Sequence, residues 1–368
     1  MSDKKLSFLG IAAVVSVVLA VFIGQYADRK KPAPAGQGYL IQGLDPATVA
    51  EITVKTDNDL VKLKRVQDGF AIANKSMYPA ANTAINDLLA SCLDVKIVEV
   101  YTKDKSNHND LGVSEENARS IVKFLDSKGA AITGLIVGNS KDDGMCYARL
   151  ISSNDVYLVD NAPWIKPSPM EYVKTELLSV DKAEVSSVTV SMPGGKYTIA
   201  AEPNSGKAVL NNIPAGKKQK DNDCSSTFYS LTSLEIDDVN ASADMTDLNF
   251  DRQYTCLLND SSLYTIWLAQ KDSKTYIKCE AEFTDKTPVK KEQAVESQEE
   301  LKKKEAKLLA KEKVVNFNNT CSGWIYQIPE YKAKTMARPK AELIEDISAS
   351  KPAEAPKKAG KSDIKVFR

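Results

Sequence analysis

The residues that most often perform acid–base chemistry are scarce in this sequence. His108, the one histidine, lies in the polar segment SNHND, where we expect a surface residue. The paired acids Asp142-Asp143 and Asp237-Asp238 could act as a general acid and base, but a predicted turn and a strand end account for them better. The motifs GxSxG, HExxH and GxxxxGK[ST] do not occur. We therefore predict a protein that is not an enzyme and that holds no metal or cofactor.

Six cysteines are spread along the chain, and none of them forms a CxxC motif. This spacing argues against a zinc ribbon and against a thioredoxin-like site. Outside the cytosol, an even number of cysteines would permit disulfide bonds. Cys256 and Cys279 lie in segments that we predict to be neighbouring strands, so they are the candidate pair. Buried free thiols are the alternative.

Large aromatic side chains are the other candidates for function. Trp164 follows Asn-Ala-Pro, and Trp324 and Tyr326 lie in the segment GWIYQIPEY. Such residues often supply the binding energy of protein interfaces. Packing in a core or at the junction of the lobes is the commoner fate of such residues, because large aromatics also dominate core energetics.

Length and charge place limits on the class of protein. A chain of 368 residues with 43% hydrophobic residues is expected to form two domains, each with a core of its own. The net charge is zero, yet residues 41–285 carry 25 Lys and Arg against 35 Asp and Glu. An acidic body argues against nucleic-acid binding, which requires a basic surface.

The N-terminal region predicts a membrane anchor. Residues 6–27 contain no charged side chain, and a helix of this length can cross a bilayer. A cleaved signal peptide is the alternative, but the apolar run is long for one. Lysines and an arginine flank the run on both sides, so charge alone does not settle the orientation. Residues 1–40 are therefore predicted to form an anchor and a linker.

Two segment pairs recur at an almost constant distance along the chain. Residues 49–55 (VAEITVK) resemble 185–191 (VSSVTVS) 136 positions later, and 110–113 (DLGV) resemble 247–250 (DLNF) 137 positions later. This offset predicts a duplicated module. We expect an α+β protein in which the anchor precedes two related lobes, each a mainly antiparallel sheet with flanking helices. The predicted lobes span residues 41–180 and 181–338.

Within the first lobe, residues 82–93 have helical hydrophobic spacing, with Asn82 or Thr83 as the expected cap. Residues 114–125 fit either a helix or a strand. The matching part of the second lobe favours a strand, which would form a hairpin with residues 131–137.

Within the second lobe, the Lys/Glu-rich residues 286–313 predict an inserted, solvated helix. Strand pairing is expected to resume at residues 314–317 and 324–328. Residues 339–368 are rich in Lys, Ala and Pro and predict a disordered tail.

The order of these segments resembles a known bacterial family. The similarity covers residues 40–338 and follows the segments DGFAIAN, YPAANTAINDLLASCLDVKIVEV, DLGV, GLIVG, YARL, VYLVD and GWIYQIPEYKAKTM. This arrangement is similar to proteins that carry "domain of unknown function 4340", which are single-anchor envelope proteins often encoded beside gliding-motility-type ABC transporter components. The resemblance transfers no catalytic residue.

This resemblance implies a single-pass protein of the bacterial inner membrane with its bulk in the periplasm. We expect a non-enzymatic auxiliary component or scaffold of an ABC-type transport system, which binds permease or auxiliary subunits. The alternative is a two-lobed extracytoplasmic module that binds a small-molecule ligand, whose identity the sequence does not reveal.

Overall fold

The computed structural model describes residues 38–347, except for 57–58, 68, 142–143, 204 and 289–296. The contacts divide the chain into two units, and the boundary lies between Lys174 and Thr175. This boundary is six residues from the predicted one. Within the described residues, the protein consists mostly of antiparallel strands with four α-helices, which is the predicted α+β class.

The described residues of the first unit form a ten-stranded antiparallel sheet and one α-helix. The strands are β1 (Gly38–Tyr39), β2 (Glu51–Thr56), β3 (Leu60–Val66), β4 (Gly69–Ile72), β5 (Tyr78–Pro79), β6 (Lys96–Thr102), β7 (Ser120–Leu125), β8 (Ala131–Ser140), β9 (Cys146–Leu150) and β10 (Val156–Asp160). Their order in the sheet is β1-β6-β10-β9-β8-β7-β2-β3-β4-β5. The predicted hairpin of residues 114–125 with 131–137 is confirmed by the pairing of β7 with β8.

Helix α1 (Asn82–Leu93) has the predicted bounds and buries one side. Its buried residues are Ala84, Ile85, Leu88 and Cys92. The predicted cap is wrong, because Ala81 occupies the capping position and no side chain bonds to the free N–H groups there.

A loop between β6 and β7 packs on one face of this sheet. Leu111 and Val113 of the DLGV segment join a buried cluster with Ile136. A Cβ at Gly138 would lie 2.4 Å from the carbonyl oxygen of Leu111, so only glycine permits this close approach. His108 is buried in the same loop, with Nε2 2.9 Å from the carbonyl oxygen of Asn154. The prediction of a surface histidine is therefore wrong, because the loop folds back onto the sheet.

The second unit contains an eight-stranded antiparallel sheet and two small two-stranded sheets. The strands are β11 (Glu176–Leu178), β12 (Val185–Met192), β13 (Gly195–Ala201), β14 (Ala208–Leu210), β15 (Lys217–Gln219), β16 (Leu234–Glu235), β17 (Asp238–Ala241), β18 (Arg252–Leu258), β19 (Ser262–Lys271), β20 (Lys274–Phe283), β21 (Trp324–Ile328) and β22 (Ile344–Asp346). The helices are α2 (Asp221–Phe228), α3 (Gln298–Cys321) and α4 (Glu330–Met336). The large sheet has the order β14-β13-β12-β18-β19-β20-β21-β17, and β11-β16 and β15-β22 form the small ones.

Eight strands follow one order in both units. The first unit reads β6-β10-β9-β8-β7-β2-β3-β4, and the second reads β17-β21-β20-β19-β18-β12-β13-β14. In each unit, a short 3₁₀ turn precedes the first of these strands in the chain. Asp45 begins one turn and Asp181 the other, and each side chain accepts a hydrogen bond from the backbone N–H two residues later. The two units therefore share both a strand order and a local capping pattern.

Helix α3 begins and ends later than the helix predicted over residues 286–313. It continues to Cys321, so the strand expected at residues 314–317 is wrong. Val314, Phe317 and Cys321 are spaced by three and four residues, and together they form the buried side of the helix. The ring of Phe317 meets that of Tyr264 on β19 edge-on, with 5.1 Å between centroids.

The predicted tail begins too early. Strand β22 pairs with β15, and Leu343 just before it is fully buried. The chain is therefore folded at least as far as residue 347, where the described residues end. The predicted anchor at residues 6–27 lies outside the described residues. Among the helices that the structure describes, none is long and apolar enough to cross a membrane.

Candidate interaction surface

Within the described residues, most of one backbone edge of strand β6 has no partner strand. On one side β6 pairs with β10, and on the other β1 pairs only with Lys96 and Ile97. The outer edge of β6 from residue 98 to residue 102 therefore has no strand partner within the described part of the chain. An unpaired edge of this kind is a template for the addition of another strand.

The side chains of this edge strand are apolar and exposed. Val98, Val100 and Tyr101 are 44%, 50% and 46% exposed. The pairing of β6 with β10 skips one residue of β6 at Val98 and another at Tyr101, so these two positions are irregular in the strand. The Tyr101 ring rests on Tyr147, with 4.7 Å between centroids. We define the β6 edge surface as residues 98–102 with these exposed side chains.

In the second unit, the strand at the corresponding place in the sheet order is shorter and mostly covered. β17 has four residues, and Val239 within it is buried. The backbone N–H of Asp237 donates to the carbonyl oxygen of Gln327, and the Asp238 carboxylate accepts from the N–H of Val239. The acidic pair therefore lies at the start of β17, where the Asp238 carboxylate is bonded to the adjoining backbone. The other predicted pair, at residues 142–143, lies outside the described residues.

The three predicted aromatic residues lie in different environments. Trp164 is 84% exposed in the segment that follows β10. Trp324 is partly buried in β21, where it pairs with Ala241. Tyr326 is fully buried, and its hydroxyl donates to the carbonyl oxygen of Thr320 at 3.2 Å. Trp164 is thus available to a partner, whereas Tyr326 belongs to the core.

The predicted Cys256–Cys279 disulfide is absent. Cys256 lies on β18 opposite Tyr264, and Cys279 lies on β20, so β19 separates the two cysteines. Neighbouring strands are about 4.8 Å apart, so two such spacings separate Cys256 from Cys279. This separation is too large for an S–S bond. Burial raises the pKa of Cys256 to about 12. Burial, and after it the neighbouring Cys321 thiol at the end of α3, raises the pKa of Cys279 well above its usual value. The pattern of the sequence did not suggest that these two thiols are neighbours.

The structure also reveals a buried arginine that the sequence analysis missed. Arg149 on β9 donates through Nε to the carbonyl oxygen of Val113 at 2.7 Å. Its Nη1 donates to the carbonyl oxygens of Leu150 and Ser153, each at 3.2 Å. Burial lowers its pKa, and the charge of Glu115 partly opposes this effect. Because its partners are backbone carbonyls, Arg149 holds the DLGV loop in place.

Among the described residues, no group of three His, Cys, Asp or Glu side chains could hold a metal ion.

The fold and the surface define a two-unit antiparallel α+β protein with an exposed edge strand in its first unit. Residues 71–253, about half of the chain, match a family described as Domain of unknown function (DUF4340), and the chain belongs to this family. The match begins in β4 and ends in β18, so it crosses the boundary between the units. No curated protein and no solved structure is significantly similar to the chain.

Proposed function

We propose that this protein is a non-enzymatic, membrane-anchored protein of the bacterial envelope that acts by binding other proteins. Residues 6–27 would anchor it in the inner membrane, with both units on the periplasmic side. Its partners would be permease or auxiliary subunits of an ABC-type transport system. The apolar run of residues 6–27 and the family of the chain support this proposal.

The β6 edge surface is the observation that carries the proposal. A partner strand placed along residues 98–102 would form main-chain hydrogen bonds with groups that have no strand partner in the described structure. The exposed side chains of Val98, Val100 and Tyr101 would supply apolar contacts to that strand. Trp164 offers a second apolar contact on the same unit. Aromatic anchors of this type often dominate binding energy.

We also propose that the two units arose by duplication of one module. Support comes from the shared order of eight strands, the repeated segments at offsets of 136 and 137 residues, and the matching turns at Asp45 and Asp181. In this view one copy keeps an open edge at β6. The other copy has a shorter strand β17 at that place, so binding would be confined to the first unit.

The test is recovery of partners from membranes. The tagged full chain, at its native level and in mild detergent, should bring down a permease or ATPase subunit. The double variant V98K/V100K should lose this partner, because lysines on an edge strand block strand addition. The matched control is I132K, since Ile132 is 40% exposed on a different strand, β8. Recovery of the wild-type chain alone, or equal capture by V98K/V100K and I132K, would count against the proposal.

A further inference from the structure

We propose that Cys279 and Cys321 form a disulfide bond that fastens the C-terminal end of helix α3 to strand β20. This pair differs from the one that strand spacing had suggested. It is a pair that the packing of α3 against β20 brings close together.

The first support is the way in which α3 is fixed to β20. The side chain of Asn318 bonds to both backbone groups of Ala281. Its Nδ2 donates to the carbonyl oxygen of Ala281 at 2.8 Å, and its Oδ1 accepts from the N–H of Ala281 at 2.7 Å. A pair of bonds from one carboxamide sets both the distance and the register of the helix against the strand.

The second support is the direction in which the helix runs. Lys307 Nζ lies 2.5 Å from a carboxylate oxygen of Asp285, and Asn318 lies against Ala281, so α3 is antiparallel to β20. Three residues after Asn318, the helix presents Cys321 on the same side. Two residues before Ala281, the strand presents Cys279 on the same face. The two periodicities therefore bring these cysteines together.

The third support is the proximity of the two thiols. Cys321 is buried, and its thiol is close enough to that of Cys279 to affect the pKa of Cys279. Neighbouring thiols are the starting arrangement that a disulfide requires. The other four cysteines are buried, and in the described part of the chain none of them has another thiol beside it.

The chemistry is a two-electron oxidation. The thiolate of one cysteine attacks the disulfide of an oxidant, such as oxidised glutathione or a thiol–disulfide oxidoreductase, and releases one thiol from it. The second cysteine then attacks this mixed disulfide, forms the Cys279–Cys321 bond and releases the other thiol. The two cysteines lose two protons and two electrons, and the S–S bond of the oxidant takes up both.

The burial of the pair determines when this reaction is fast. Burial, with the neighbouring Cys321, raises the pKa of the Cys279 thiol well above its usual value, so the reactive thiolate is rare once α3 is in place. The bond should therefore form as the second unit folds, and resist reduction afterwards. It would close the loop of residues 280–320 and limit the freedom of the unfolded chain.

The test uses the full chain, purified in mild detergent, reduced, unfolded and then refolded in a mixture of reduced and oxidised glutathione. After alkylation and protease digestion, mass spectrometry should find one cross-linked pair of peptides, with Cys279 and Cys321, and four alkylated cysteines. The oxidised protein should melt about 5–10 °C above the protein kept reduced. The variants C279S and C321S should each lose the cross-link, and C256S should keep it.

Two results would overturn the proposal: six alkylated cysteines after oxidative refolding, or a cross-link that joins Cys279 to any cysteine other than Cys321. Because the map of the wild-type cross-link decides the matter, the test holds even if a serine variant fails to fold. The double variant C279A/C321A keeps the site apolar, and its melting temperature should not change between oxidising and reducing buffer.

Discussion

At the scale of single residues, two asparagine side chains act as substitutes for peptide groups. Asn318 accepts from and donates to the backbone of Ala281. Asn74 accepts from the N–H of Lys62 at 2.7 Å and donates to the carbonyl oxygen of Leu60 at 3.0 Å. In each case a carboxamide satisfies backbone groups at a place where no strand does so. Loss of such a side chain leaves both a donor and an acceptor without their partner.

We predict that Asn318→Ala lowers the free energy of unfolding of the second unit by about 1–3 kcal/mol, because the N–H and C=O of Ala281 lose their bonds. Urea denaturation measures the change. The matched control is Asn319→Ala, since Asn319 is the exposed neighbour on the same helix. Equal effects of the two substitutions would show that the carboxamide of Asn318 contributes no specific stability.

Arg149 is the corresponding residue of the first unit. We predict that Arg149→Met lowers the stability of that unit by roughly 2–4 kcal/mol, because the carbonyl oxygens of Val113, Leu150 and Ser153 lose a buried donor. Arg119→Met is the control, since Arg119 is exposed, and its effect should stay within about 0.5 kcal/mol. A stable R149M protein would contradict the role of this side chain in holding the loop.

At the scale of elements, an ion pair fixes the first half of helix α3. Lys307 Nζ donates to the Asp285 carboxylate and, at 2.7 Å, to the carbonyl oxygen of Thr287. The hydrogen bond from Lys307 is the main cause that lowers the pKa of Asp285 to about 2 from its usual 3.8. The pKa of Asp285 is lower in the folded state than in the unfolded chain. The ion pair therefore stabilises the folded state fully at pH values above the usual pKa of 3.8, and this stabilisation is lost as the pH falls through the folded-state pKa of about 2.

We therefore predict that the N-terminal half of α3 loses protection from amide hydrogen exchange as the pH falls from about 4 to about 2. Hydrogen exchange with mass spectrometry, corrected for the intrinsic rate at each pH, measures the effect. The variant D285N has no carboxylate to protonate, and its protection should be lower and independent of pH in this range. A wild-type profile that matches that of D285N would contradict the prediction.

The hydrophobic pattern predicted most elements, and the failures have physical causes. The predicted bounds of α1 and the β7–β8 hairpin are confirmed, since each has a clear period of its own. Residues 314–317 read VVNF, which has the β-branched and aromatic character of a strand. The helix that reaches them from Gln298 overrides this local preference, because Val314 and Phe317 then face the sheet.

At the scale of the whole molecule, each unit has its own sheet and its own buried core. We predict that residues 38–174 and 175–347, produced as separate proteins, each unfold in a single cooperative transition. Circular dichroism during heating measures this. The control is a first unit that ends at Gly129, in the turn between β7 and β8. It should not fold, because ending the chain there divides the ten-stranded sheet. Failure of both separate units to fold would contradict the division after Lys174.

The candidate surface was harder to predict than the units. The repeats at offsets of 136 and 137 residues predicted two halves of similar content. In contrast, Val98 and Val100 stand on either side of a charged residue, and the same alternation of apolar and polar residues is typical of a strand with one buried face. Their exposure depends on the sheet order, which leaves β6 near an edge. The proximity of Cys279 and Cys321 likewise depends on α3 folding back over β20, which no local pattern encodes.

The position of α3 also has a consequence for solubility. β21 pairs with β20 only from Thr275 to Ile277, and the rest of β20 has α3 beside it, with Asn318 bonded to Ala281. The C-terminal part of α3 therefore occupies the backbone edge of β20 that β21 leaves open, and a strand from a second copy of the chain cannot pair there. Many proteins protect the edges of their sheets with short strands or lysines instead.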